Sequence, residues 1–134
     1  MEIEQKEENI DHSQAQKQIK KKKKGGDFST MNLKKEVYRG VLAKGFKSAT
    51  TIQKKMIPYI LEGRDVVGCS KTGSGKTAAF VIPMLNKLEK HCSIVGCRAL
   101  IVSPTRELAI QTSLVVKQLA KYTDLTHSLL IGGH

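Results

Sequence analysis

Ser70-Lys71-Thr72-Gly73-Ser74-Gly75-Lys76-Thr77 follows the apolar run Asp65-Val66-Val67-Gly68-Cys69 and leads into a segment opening Ala78-Ala79-Phe80. The order reads as strand, glycine-rich loop, helix. Successive backbone N–H groups that open into the positive end of a helix dipole form a concave cradle for a triphosphate. Gly73 and Gly75 let that backbone approach phosphates with no Cβ in the way. Lys76 is placed to meet the β and γ phosphates, and the Thr77 hydroxyl to serve as one ligand of a bridging Mg²⁺ ion. A Gly/Ser/Lys/Thr cluster can also be a plain surface turn. The flanking strand and helix favour phosphate binding, because the motif requires that context. The general pattern has Gly where this chain has Ser70, a small residue for a smaller one.

Upstream of the loop, Leu33, Val37 and Val41 recur at helical spacing and Gly45 marks a stop. A second helix is expected from Thr50, carrying Ile52, Met56, Ile57, Ile60 and Leu61 before Gly63, with a kink at Pro58. Thr50 and Gln53 stand at capping-box spacing, so the simplest role for Gln53 is to satisfy a backbone N–H at the helix start. Downstream, a helix over about 76–90 puts Phe80, Met84 and Leu88 on one side, with a bend at Pro83. A strand at Ala99–Ser103 then leads through Pro104-Thr105-Arg106-Glu107-Leu108-Ala109 into a helix running to about Tyr122, its inner face Leu108, Thr112, Val115 or Val116, and Leu119. A third strand, His127–Ile131, ends at Gly132-Gly133. Apolar strands alternating with amphipathic helices predict an α/β fold with a parallel sheet covered on both faces, its ligands at the carboxyl ends of the strands.

Residues 1–26 are rich in Glu, Gln and Lys, with few apolar groups to offset chain entropy, and read as a disordered basic tail. The run Lys20–Lys24 is consistent with an import signal, a nucleic-acid contact or a solvated linker. The chain has 134 residues and formal net charge +11; the tail contributes seven Lys against five acidic residues, so +9 falls on the rest. That balance suits a polyanionic partner. Neither a secretory leader nor an apolar stretch long enough to span a bilayer is seen, which predicts a soluble intracellular protein without membrane attachment. Cys69, Cys92 and Cys97 are an odd set for such a compartment, and no disulfide is expected. Cys69 is expected to pack at a strand end. His91, Cys92 and Cys97 lack a second ligand pair at zinc-finger spacing, and His12, His127 and His134 add no cluster.

Four separated stretches together resemble the N-terminal part of a DEAD-box RNA helicase. Gly45-Phe46-Lys47-Ser48-Ala49-Thr50-Thr51-Ile52-Gln53 is similar to that family's Q motif, with Phe28 at the distance of its upstream aromatic. Ser70–Thr77 is similar to its phosphate loop, where Ala is usual at the first position. Pro104–Ala109 with Gln111 resembles motif Ia, and Gly132-Gly133 the GG motif. The resemblance implies that Gln53 reads the adenine edge with an amide that both donates and accepts, while Phe28 or Phe46 covers the base. It also implies that Pro104, Thr105, Arg106, Gly132 and Gly133 hold RNA by its backbone with little base specificity. By spacing alone, Arg106 would be a solvated first-turn residue. Ala49 replaces the Pro usual in the Q motif and relaxes the φ restraint at the helix entry.

The implied whole is a RecA-like P-loop domain, of which residues 27–134 form the N-terminal portion. Its function would be ATP- and Mg²⁺-dependent RNA unwinding. The lysine-rich lead into Gly-Gly-Asp-Phe and the run Glu62–Val67 look most like the nucleolar helicases of large-ribosomal-subunit assembly, which implies pre-ribosomal particles as partners and a nuclear, nucleolar location. The 134 residues hold no Asp-Glu-Ala-Asp box, and phosphoryl transfer needs a further acidic residue for the metal and the attacking water. The stretch alone is therefore expected not to hydrolyse ATP. Two other readings stand beside this one: a non-catalytic RNA-binding truncation product, and a P-loop nucleotidase of another kind.

Overall fold

A computed structural model of the chain describes residues 27–88, 93 and 96–133. The tail, residues 89–92 with His91 and Cys92, and His134 lie outside the described residues. A 3-10 turn, Phe28–Thr30, is followed by α1 (Lys35–Ala43), α2 (Thr51–Leu61), α3 (Lys76–Leu88) and α4 (Arg106–Leu119).

Several helix ends have a local cause. Asp27 accepts from the Ser29 N–H to begin the 3-10 turn. Thr50 and Gln53 form the expected capping box at the start of α2. Thr105, extended at φ −129°, accepts from the Leu108 N–H at 3.2 Å and caps α4. Gly45 and Gly63, both in the left-handed region, follow α1 and α2 and end them. Helices α2 and α3 run on past Pro58 and Pro83.

The core is made by the inner faces of the helices and the turn before them. Phe28, Val37, Val41, Ile57, Val81, Ile82 and Leu119 are among its fully buried side chains. Burying an aliphatic or aromatic residue of this size contributes about 1.5–3 kcal/mol, so this cluster is the main source of cohesion. Helices α2 and α3 lie side by side and parallel. Their first turns meet where the Gln53 amide reaches Gly75, and their last turns where Lys87 Nζ donates to the Ile60 carbonyl at 3.4 Å. Helix α1 crosses α4 so closely that a Cβ on Gly40 would lie 2.0 Å from the Leu119 carbonyl oxygen. That seam is closed by Lys44 Nζ donating to Gln118 and by the Arg39 guanidinium 4.4 Å from the Tyr122 ring centre. The Lys34 N–H donates to Asn86 Oδ1 at 2.6 Å and fixes the entry to α1 against the end of α3.

The expected parallel sheet is not confirmed: no strand occurs among the described residues. Segments 65–69, 99–103 and 127–131 exchange no backbone ladder hydrogen bonds. Strand-forming side chains are not enough when no neighbouring backbone pairs with them. Accordingly Val67 is 95 %, Val102 83 % and Leu130 89 % exposed. Cys69, expected to pack, is exposed as well. The inner face of α3 runs through Ala78, Val81, Ile82 and Leu85, while Phe80, Met84 and Leu88 are only partly buried; a helix apolar nearly all round leaves its most buried stripe ambiguous from sequence. On α4 the buried stripe is Thr112, Val116 and Leu119, and Leu108, in the first turn, is exposed because burial begins one turn further on. The helix ends at Leu119, short of Tyr122.

Candidate functional site

The loop Ser70–Thr77 is assembled between α2 and the start of α3. Gly73 and Gly75 have φ of +77° and +88°, the left-handed region that glycine adopts without strain. Space also matters at Gly75, where a Cβ would come within 2.5 Å of Gln53 Nε2. No atom lies within 4 Å of a Cβ built on Gly73, so the loop is open on that side. The Gly75 carbonyl accepts twice, from the Ala79 N–H at 3.1 Å and from Gln53 Nε2 at 3.2 Å. The first bond starts α3, which leaves the N–H groups of Lys76, Thr77 and Ala78 without intrahelical acceptors. Those donors sit at the positive end of a 13-residue helix.

Gln53 is 2 % exposed. Its Oε1 accepts from the Thr50 N–H at 2.9 Å while its Nε2 donates to Gly75. The capping role read from spacing is thus what the structure displays, with a second bond into the loop that spacing did not announce. An amide has two acceptor and two donor positions, so one of each is left over.

The loop also binds itself. Lys76 Nζ donates to the Ser70 carbonyl and, at 2.9 Å, to the Lys71 carbonyl. The Ser74 N–H donates to the Lys71 carbonyl at 3.3 Å, and the Ser70 and Ser74 hydroxyls are hydrogen-bonded at 2.6 Å. Lys71, Thr72 and Gly73 are exposed; Thr77 is half-buried at the helix start. These groups fit a triphosphate once the loop's own hydrogen bonds are given up: among the described residues the ammonium is held by carbonyl oxygens that phosphate oxygens can replace, beside first-turn N–H groups without intrahelical acceptors. For Mg²⁺ they supply the Thr77 hydroxyl, in keeping with an ion bound mostly through phosphates and water. Among the described residues no group of three or more His, Cys, Asp or Glu could hold a metal by itself.

Phe28 is 1 % exposed and stacked on Phe46, with ring centroids 6.2 Å apart and planes at 19°. Phe28 is therefore a core residue; Phe46 is half-buried and faces the Lys44 ammonium at 5.6 Å. Ala49 is buried in the core beside the α2 cap. Near the other end of the chain, Arg106 Nη2 donates to the Gly132 carbonyl, which brings the start of α4 and the Gly132-Gly133 pair together. Pro104 and Thr105 are exposed beside them. A separate cleft of about 880 Å³, lined by the 3-10 turn and the later turns of α2 and α3, contains none of the nucleotide- or RNA-binding residues expected from sequence. The sequence placed Met56 on α2 but not its contact with Gly68: the Met56 sulfur lies 2.4 Å from where a Cβ on Gly68 would stand. A glycine inside an apolar run was the available signal for such a close approach.

A family model described as DEAD/DEAH box helicase matches residues 50–134, more than half of the sequence. The chain belongs to the DEAD/DEAH box helicase family. It is 56 % identical over 116 residues to the ATP-dependent RNA helicase DBP10 of Chaetomium globosum, covering 87 % of this chain and 15 % of that protein. With the ATP-dependent RNA helicase DDX54 of Mus musculus it shares 52 % identity over 116 residues, 87 % of this chain and 13 % of that one. It therefore spans a small part of the curated relatives it matches. Among solved structures, it is similar to the RNA-helicase Prp28 from Chaetomium thermophilum bound to ADP, with TM-score 0.74 and 36 % identity over 81 % of this chain and 27 % of that one. It is also similar to S. cerevisiae Dbp5 bound to RNA and ADP BeF3, with TM-score 0.68 and 33 % identity over 75 % and 26 %. The helical layout is that of these helicase domains, which are RecA-like.

Proposed function

We propose that residues 27–134 are the N-terminal portion of the first RecA-like domain of an ATP-dependent RNA helicase. In this reading the loop Ser70–Thr77 binds MgATP, and Pro104, Thr105, Arg106, Gly132 and Gly133 bind the RNA backbone. The observation that carries it is the Gly75 carbonyl, shared between the start of α3 and the Gln53 amide. One side chain thereby joins the adenine-reading position to the phosphate cradle. The spare donor and acceptor of Gln53 match the N6 and N7 pattern of adenine. Because Gln53 is buried, adenine reaches it only when its covering groups give way; Phe46, half-exposed, is better placed than Phe28 to lie over the base.

Bound Mg²⁺ would neutralise charge on the β and γ phosphates, and the chain's own part is to hold them with Lys76, Thr77 and the first-turn N–H groups. These 134 residues hold no Asp-Glu-Ala-Asp box, and in this reading the stretch binds ATP without hydrolysing it. The similarity to DBP10 and DDX54, with the Lys20–Lys24 run, supports a nucleolar helicase of ribosome assembly with pre-ribosomal particles as partners.

The test is titration of the purified chain with MgATP and MgGTP. ATP should bind in preference to GTP, and Lys76→Ala should remove the binding. Equal affinity for GTP would shift the assignment to another kind of P-loop nucleotidase. RNA binding indifferent to nucleotide would favour the non-catalytic RNA-binding product. RNA-stimulated hydrolysis by the chain, lost in Lys76→Ala, would refute the claim that it only binds.

A further inference from the structure

The loop of this chain carries a hydroxyl at its first position, and that hydroxyl is engaged. Ser70 Oγ and Ser74 Oγ are 2.6 Å apart, a short neutral hydrogen bond joining the first and fifth residues of the loop. The same arc is closed twice more: Lys76 Nζ is on the Ser70 and Lys71 carbonyls, and the Ser74 N–H is on the Lys71 carbonyl. A triphosphate entering the cradle must take the Lys76 ammonium from those carbonyls. Phosphate oxygens compensate that loss, because they accept from the same ammonium with full negative charge. For the hydroxyl pair the exchange is different, since its members satisfy each other and an alanine in place of Ser70 would have nothing to give up.

We propose that Ser70 is an affinity-setting residue of the phosphate loop: its hydrogen bond to Ser74 holds the free loop curled on itself, and nucleotide binds only to the fraction of molecules in which this latch is open. This inference rests on the assignment of the loop to ATP. When the competent form is a fraction of the population, apparent affinity falls by that fraction. A net intramolecular hydrogen bond is modest, so removing the latch should tighten binding by about three- to tenfold. The gain should lie in the association rate, because the bound state is the same with or without the latch.

The experiment is stopped-flow fluorescence with N-methylanthraniloyl-labelled ADP and Mg²⁺, on the whole chain and on Ser70→Ala and Ser70→Thr, each checked for an unchanged circular dichroism spectrum. Ser70→Ala should bind faster and leave at the original rate, and Ser70→Thr, which keeps a hydroxyl, should return to the original association rate. Unchanged or weaker binding by Ser70→Ala, or tighter binding that comes from slower dissociation, would overturn the latch while leaving nucleotide binding intact. A chain that binds no nucleotide at all, with or without the substitution, would overturn the ATP assignment and the latch with it.

Discussion

The side-chain amide of Gln53 bridges α2 and the phosphate loop: its oxygen accepts from the Thr50 N–H at 2.9 Å and its nitrogen donates to the Gly75 carbonyl at 3.2 Å, 22 residues away. Gln53→Glu separates the two functions. The carboxylate can still accept from Thr50, but it offers Gly75 no donor and sets a negative charge against a carbonyl oxygen in a buried position. Losing a buried hydrogen bond to an unsatisfied partner costs about 1–3 kcal/mol. Urea denaturation should show a loss in that range, and hydrogen exchange at the first turn of α3 should quicken. A variant as stable as the parent would mean that the bridge contributes nothing to the fold.

Gly40 is required by proximity. Alanine is better than glycine in a helix by about 1 kcal/mol, so propensity alone predicts that Gly40→Ala stabilises α1. The added Cβ, however, would lie 2.0 Å from the Leu119 carbonyl oxygen, a backbone atom that cannot turn aside. Overpacking of this kind costs typically about 1–3 kcal/mol, and a clash with backbone belongs at the upper end. The net expectation is a lower melting temperature, measured by circular dichroism; a rise would mean that α1 and α4 can separate freely.

What was legible in the sequence was what short-range chemistry decides. The capping box at Thr50, the glycine stops after α1 and α2, and the helix start at Lys76 each depend on neighbours a few residues away. The helices formed where periodicity placed them. The sheet is not confirmed: a strand needs a partner backbone, and among the described residues segments 65–69, 99–103 and 127–131 do not supply one another with it. Contacts across the fold were less readable: the glycine at 68 signals a close approach but not that Met56 makes it, and nothing local tells that Phe28 disappears under Phe46 or that the spare half of Gln53 reaches Gly75.

The unpaired apolar segments give a prediction about handling the chain. Val67, Leu100, Val102 and Leu130 are among its exposed large hydrophobic residues, and apolar segments with free backbone groups are sites of intermolecular pairing. Val102→Lys places a charge at a residue that is 83 % exposed and should change stability by no more than about 0.5 kcal/mol. Light scattering of concentrated samples should fall while the unfolding midpoint stays put. A drop in the midpoint would instead mean that Val102 is packed in solution, and that the segment pairs with something.

Arg106 has two roles that one pair of substitutions can separate. Its Nη2 donates to the Gly132 carbonyl, tying the start of α4 to the glycine pair, and under the proposed function its charge also meets an RNA phosphate. Lysine keeps the charge but lacks the planar fork of donors that reaches a carbonyl and a phosphate together. Arg106→Ala should therefore weaken RNA binding and lower the slope of log K against log salt by about one. Arg106→Lys should keep that slope while amide exchange at Gly132 and Gly133 rises, since the tie is lost and the counterion count is not. If Arg106→Ala leaves the salt slope unchanged, the guanidinium serves only to position the glycine pair, and the phosphate contact must be sought among the backbone N–H groups at the start of α4.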